Sequence, residues 1–186
     1  ANLIVAAGAD RVISIDFHQH QIQGFFDIPV DHLYAAPVVT KYFRDLALED
    51  LVVIAPDVGA AKMARGFARR LGATLAIIDK RRPKANMSEV LNIVGDVEDR
   101  TCLIVDDMVD TGGSLANAVE ALKDRGAKTV YAAATHPILS GEAPSRLADS
   151  PLERMIVTNT INVPDEKRSD RLEILSVADL LSKAIH

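Results

Sequence analysis

Two adjacent carboxylates, Asp106 and Asp107, close an apolar run, and Asp110-Thr111-Gly112-Gly113-Ser114 follows at once. The two glycines let a ligand approach backbone N–H groups with no side chain in the way. The hydroxyls of Thr111 and Ser114, at the start of a helical pattern, complete a cradle suited to a phosphate. Read alone, Ser114 serves equally as a plain helix cap behind a tight turn. The paired carboxylates argue for more. Neighbouring side chains on a strand point to opposite faces, but at a strand's end both can reach the hydroxyls of a sugar whose phosphate fills the next loop. Carboxylates accept hydrogen bonds from a vicinal diol well.

Three other apolar runs end in chemistry. "RVISID" (11–16) leads into "DFHQHQIQGFFDIPVD", "LVVIAP" (51–56) into "PDVG", and "TLAIID" (74–79) into "DKRRPK". Acidic, imidazole and cationic groups therefore collect at run ends. Each has a plainer reading: "KRR" as a solvated basic loop, Asp57 as the N-cap of the next helix, Asp27 and Asp31 as turn residues. His20, His32 and His136 carry no evident role. Cys102, inside an apolar run, reads as a small buried side chain with nothing nearby to activate it.

The elements that must position these groups alternate. With "CLIVDD" (102–107), "TVYAAAT" (129–135) and "MIVTNT" (155–160), the runs above are apolar throughout, as strands buried on both faces of a parallel sheet are. Helical patterns lie between them. Leu115, Ala118, Val119 and Leu122 share a stripe in 114–125 that ends at Gly126. Met63, Phe67 and Leu71 recur in 58–71 before Gly72. "PVVTKYFRDLAL" (37–48) opens on a proline suited to a first helical turn. "SVADLLSKAI" (176–185) carries Ser176 and Asp179 in capping-box spacing. This pattern predicts an α/β fold, a doubly wound and mainly parallel sheet with ligands beyond the carboxyl ends of its strands. The polar stretch 80–89 is the one loop expected to move.

With 186 residues, 48% of them hydrophobic, and a net charge of −5, the chain suits one globular domain and argues against a nucleic-acid partner. One cysteine suits a reducing cytoplasm. No run reaches the roughly 18–20 apolar residues of a membrane span. The chain opens without Met, and "ANLIVAAGADR" reads as the second half of a helix already under way, so a fragment is expected.

"VDDMVDTGGS" resembles the phosphoribosyl-pyrophosphate (PRPP) binding loop shared by type I phosphoribosyltransferases and PRPP synthetases. "DFHQHQIQGFFDIPVD" resembles the signature of the ribose-phosphate pyrophosphokinase (PRPP synthetase) family, "IDKRRPKANMSEV" its catalytic flexible loop and "THPILSGEA" a later segment. The resemblance covers essentially all of 1–186. Phe17 replaces the usual Leu or Ile, and Ser114 the usual Thr; apolar character and hydroxyl are both kept.

The resemblance implies a sheet of the type I phosphoribosyltransferase kind. It also implies transfer of the pyrophosphoryl group of MgATP to the C1 hydroxyl of ribose 5-phosphate, giving PRPP and AMP. By it, Asp110, Thr111, Gly112, Gly113 and Ser114 hold the 5-phosphate and Asp106 with Asp107 the ribose hydroxyls. Lys80 and Arg82 are the catalytic cations, Arg82 also meeting substrate. His18 and Asp57 are associated with Mg²⁺, with Asp16, Asp27 and Asp31 behind them. The family has two similar domains and forms homo-oligomers, hexamers among them. This chain resembles the C-terminal domain with the tail of the preceding helix, so most of the adenine site is missing and the chain alone is expected to be inactive. A type I phosphoribosyltransferase and a non-catalytic synthetase-associated regulatory protein are the rival readings.

Overall fold

The computed structural model describes residues 1–81 and 90–185; residues 82–89 and 186, and the side chains at 80, 81, 90 and 91, lie outside that description. A short helix, α1 (Asn2–Ala6), leads to β1 (Val12–Ile15), a 3-10 turn (His20–Phe25) and β2 (Val30–Leu33). Then come α2 (Ala36–Leu46), β3 (Leu51–Ala55), α3 (Ala61–Leu71), β4 (Thr74–Arg81) and β5 (Val90–Val94). The remainder is β6 (Thr101–Val109), α4 (Gly113–Asp124), β7 (Thr129–Pro137), α5 (Ala143–Asp149), β8 (Arg154–Thr158), β9 (Leu172–Leu175) and α6 (Ala178–Ile185).

Seven strands form one sheet in the order β5-β4-β3-β6-β7-β8-β9. All pairs are parallel except β4 with β5, which run antiparallel with Arg81 opposite Val90. The central strands are covered on both faces, and their alternation sorts side chains between two cores. Val52, Ile54, Cys102 and Ile104 join Ala118, Val119 and Leu122 of α4 and Leu147 of α5 on one face. Val53, Ala55, Leu103 and Val105 join Val39 and Phe43 of α2 and Phe67 of α3 on the other. The crossover from β3 leads one way to β4, while that from β6 leads the other way to β7. The strand order therefore reverses between β3 and β6, where an open α/β sheet forms its ligand crevice.

The predicted doubly wound sheet is present, with several corrections. β1, expected within it, pairs only with β2 in a separate parallel ribbon, Val12 opposite Val30 through Ile15 opposite Leu33. Its four residues are only half-buried, so it lacks the two-sided burial that places a strand in the main sheet. The strands β2, β5 and β9 were not expected: "VDHL" and "LEIL" break the apolar run with charge, and "VLNIV" follows a polar stretch. Helix α5 was also missed, a short segment with Pro144 in its first turn. α3 starts at Ala61 rather than 58. The α6 helix starts at Ala178, whose N–H donates to Ser176 Oγ (3.2 Å).

After β5, Gly95 adopts φ +127°, and a Cβ built there would lie 2.6 Å from the Ala76 Cβ and 3.0 Å from its Cα. Backbone and neighbour both exclude a side chain. Gly95→Ala is expected to cost about 2–3 kcal/mol in urea unfolding; a loss under about 0.5 kcal/mol would contradict this packing.

Candidate functional site

The crevice at the β3–β6 reversal is a cleft of about 200 Å³. Its walls are Pro56 after β3, Asp106 and Met108 on β6, and Asp110, Thr111, Gly112 and Ser114 on the turn into α4. From Val109 to Gly112 every carbonyl is engaged by a protein donor. Val109 O accepts from the N–H groups of Ile138 (3.0 Å) and Leu139 (3.1 Å), Asp110 O from Ser140 (3.0 Å), and Gly112 O from Ala116 (2.9 Å). Thr111 O accepts from the Arg146 guanidinium. Ala116 makes the first helical bond of α4, so the N–H groups before it have no intrahelical acceptor. Of the residues that carry them, Thr111, Gly112, Ser114 and Leu115 line the cleft, where the helix end favours an anion.

Gly112 is the helix N-cap, at φ +71°. Its Cβ would meet Leu147 Cγ at 3.3 Å and Ala143 Cβ at 3.5 Å, so α5 packs directly beneath the turn. No side chain caps α4, which removes the plain capping reading of Ser114. Its exposed hydroxyl lines the cleft instead.

Asp106 and Asp107 lie within β6, which runs on to Val109. They diverge as strand geometry requires. Asp106 faces the cleft. Asp107 Oδ2 lies 2.7 Å from His18 Nδ1, while the Asp107 N–H donates to Asp106 Oδ1 (2.9 Å). Burial first, then hydrogen bonding with and repulsion by Asp107 and the charge of Asp57, hold the Asp106 carboxyl far above the usual carboxylate range. The Asp107 hydrogen bond and charge, with smaller help from Asp106 and Asp57, raise the His18 imidazole above its ordinary value. Asp57, exposed after β3, accepts the Ala60 N–H on Oδ1 (2.9 Å), so it shapes the turn into α3 without being its N-cap.

A site where carboxylates repel one another is one that a cation or a set of hydroxyl donors relieves. Among the described residues no three His, Cys, Asp or Glu side chains converge closely enough to enclose a metal. The donor set suits a hard cation held by one or two carboxylates, waters and substrate phosphates.

Two of the other candidates are engaged by protein donors. Asp16, at φ +43°, accepts on Oδ2 from the Ala35 N–H (3.0 Å) and the Thr135 hydroxyl (2.7 Å). Asp31 is held in a two-pronged pair by Arg11. Asp27 is exposed. Lys80 lies on β4 opposite Leu91, its side chain outside the description, as is all of Arg82. Burial pushes the Cys102 thiol up to about 11, in keeping with an inert core residue.

Residues passed over in the sequence prove structural. His32 Nε2 accepts the Phe17 N–H (3.0 Å), and burial holds its imidazole below the ordinary value. His136, at the end of β7, has Nε2 3.0 Å from Ile15 O and 3.1 Å from Asp16 O. Both partners are carbonyls, so the proton sits on Nε2, and Nδ1 faces the Thr160 hydroxyl at 2.9 Å. Through His136, Thr135 and Asp16 the end of β1 is tied to the main sheet, which brings His18 to Asp107. A histidine before a proline carried no sequence signal for this.

Three comparisons bear on the site. The model of the family described as phosphoribosyl synthetase-associated domain matches residues 81–186. Ribose-phosphate pyrophosphokinase of Caldanaerobacter subterraneus subsp. tengcongensis is 53% identical over 186 residues, covering 100% of this chain and 59% of that protein. The crystal structure of phosphoribosylpyrophosphate synthetase from Mycobacterium smegmatis matches with TM-score 0.92 at 46% identity, over 100% of this chain and 60% of that one. The chain thus spans about three fifths of the length of such relatives. Orotate phosphoribosyltransferase from Aeropyrum pernix matches at TM-score 0.53 and 22% identity, over 81% of this chain and 73% of that one, a likeness of fold.

Because Asp107 raises the His18 pKa, the pair's contribution is full below the ordinary histidine value and fades as pH rises through the folded midpoint. An NMR titration is expected to place the His18 midpoint above the ordinary value, and His136→Leu to lower it while costing about 1–3 kcal/mol of stability. An unchanged His18 midpoint in that variant would break the proposed link from β7 to β1.

Proposed function

We propose, since this chain belongs to the phosphoribosyl synthetase-associated domain family, that its intact protein is a ribose-phosphate diphosphokinase. It transfers the pyrophosphoryl group of MgATP to the C1 hydroxyl of ribose 5-phosphate, yielding PRPP and AMP. The observation that carries this reading is the turn at 109–112, which lines the cleft and whose carbonyls are all engaged by protein donors while the N–H groups that follow are left free.

In this reading the 5-phosphate sits on Asp110, Thr111, Gly112, Gly113 and Ser114, where N–H donors and a helix N-terminus meet a dianion. The neutral ribose hydroxyls need acceptors, which Asp106 supplies in the cleft and Asp107 beside it. His18 and Asp57 hold the Mg²⁺–nucleotide side, largely through water and phosphate oxygens. When bound, Mg²⁺ neutralises charge on the triphosphate. Asp16 and Asp31, already engaged with protein donors, support the segment that carries His18. Lys80 and Arg82 neutralise the group in transfer; in such reactions positioning and charge stabilisation supply most of the rate.

The whole protein works as a homo-oligomer, a hexamer, in the cytoplasm, with no nucleic-acid or membrane partner. Exposed apolar side chains such as Leu3 (88%) and Phe25 (72%) leave surface for further protein to cover, and among the described residues no helix is long and apolar enough to cross a membrane. Full-length protein carrying Lys80→Ala is expected to release AMP about 10²–10³-fold more slowly with ribose 5-phosphate affinity kept. The 186-residue chain alone should bind ribose 5-phosphate without turnover. Failure of the wild-type chain to bind that sugar phosphate would overturn the site assignment.

A further inference from the structure

We propose that Arg146 is a positioning residue for the anion cradle: by donating to the Thr111 carbonyl it keeps the Thr111–Gly113 peptides turned with their N–H groups toward the cleft. This inference rests on the reading of that turn as the ribose 5-phosphate site.

Four consecutive carbonyls, from Val109 to Gly112, must face away from the cleft if the N–H groups are to face into it. Backbone donors hold three of them: those of Ile138 and Leu139 on Val109, Ser140 on Asp110, and Ala116 on Gly112. Thr111 O is the remaining one, and its donor is the Arg146 guanidinium. The Thr111–Gly112 peptide is also weakly constrained by its own chain, since Gly112 at φ +71° admits conformations that other residues resist. A turn of the Thr111 carbonyl into the cleft would set an acceptor against a phosphate. Arg146 prevents that turn.

The base from which Arg146 reaches is fixed. Ala143 and Leu147 of α5 are buried against Gly112. The C-terminal carbonyls of α5 and the loop after it, those of Ala148, Ser150 and Leu152, accept from the Arg171 guanidinium at 3.2–3.4 Å. The guanidinium of Arg146 lies 3.8 Å from the place a Cβ on Gly113 would take, so it borders the cradle without filling it. Arg146 itself is exposed, so replacing it leaves both cores intact.

The test uses the 186-residue chain as wild type, Arg146→Met and Arg146→Lys, with ribose 5-phosphate as the probe. Two quantities are read: calorimetric affinity, and amide hydrogen exchange of Ser140 and Ala116 without ligand, whose N–H groups bond the carbonyls on either side of Thr111. For Arg146→Met we expect exchange at both amides to quicken about tenfold and affinity to fall about tenfold, with the thermal midpoint within a few degrees of wild type. Arg146→Lys should recover part of both. Weaker binding with unchanged exchange would mean that Arg146 acts only as a nearby charge, and would overturn the proposal. So would full recovery of affinity by Lys while exchange stays fast, or no change in either quantity. If the wild-type chain binds no ribose 5-phosphate, the site reading fails, while the exchange arm still decides whether Arg146 braces the turn.

Discussion

The N–H groups at the start of α4 find no acceptor within their own helix, and much of this fold serves to keep them free while engaging everything around them. Buried polar groups left unpaired are costly. The turn can therefore leave donors free only at the mouth of a cleft and with its carbonyls bonded elsewhere. The segment from Ile138 to Arg146 supplies those bonds at Val109, Asp110 and Thr111, and Ala116 of α4 supplies the one at Gly112. It runs from the end of β7 into α5, so the position of β7 beside β6 and of α5 beneath Gly112 are both conditions of the same cradle.

β6 sets the second constraint. Its alternation, which sorts Cys102 and Ile104 to one core and Leu103 and Val105 to the other, continues into the two carboxylates. Asp106 therefore faces the cleft while Asp107 turns to His18. Burial and its acidic neighbours make Asp106 a poor place for an isolated negative charge. Hydroxyl donors or a cation would relieve it, and the free N–H groups nearby take the opposite charge. One strand end thus separates a position for a neutral or cationic group from a position for an anion.

Much of this was legible in the residues. The apolar runs marked the buried parallel strands because burial on both faces removes alternation, and the glycines of 110–114 marked a turn where Gly112 packs against Ala143 and Leu147. Other features were not. β1 looked like a sheet strand because four apolar-rich residues do not say which neighbour they pair with. Arg146 and His136 act on carbonyls distant in sequence, and a side chain that bonds remote backbone leaves no local pattern. α5 is short, with a proline as its second residue, so periodicity had little length in which to appear. The carboxylates of Asp16 and Asp31 carried the right chemistry for a ligand, yet the three-dimensional fold commits them to Ala35, Thr135 and Arg11.

The two halves of the site are anchored differently. The cradle belongs to the main sheet: it hangs from β6, β7 and α5, which share the core that holds Ile104, Ala132 and Leu147. His18 follows a two-stranded ribbon with no fully buried position, joined to that sheet through His136 and the Asp16–Thr135 bond. Local opening is easiest where few apolar contacts are lost, so the ribbon opens at lower cost than the cradle. A two-substrate transfer suits that inequality. Under the proposed reaction, the acceptor sugar phosphate would meet a surface already formed, while the side proposed for the nucleotide and its cation would keep room to adjust as the second substrate enters.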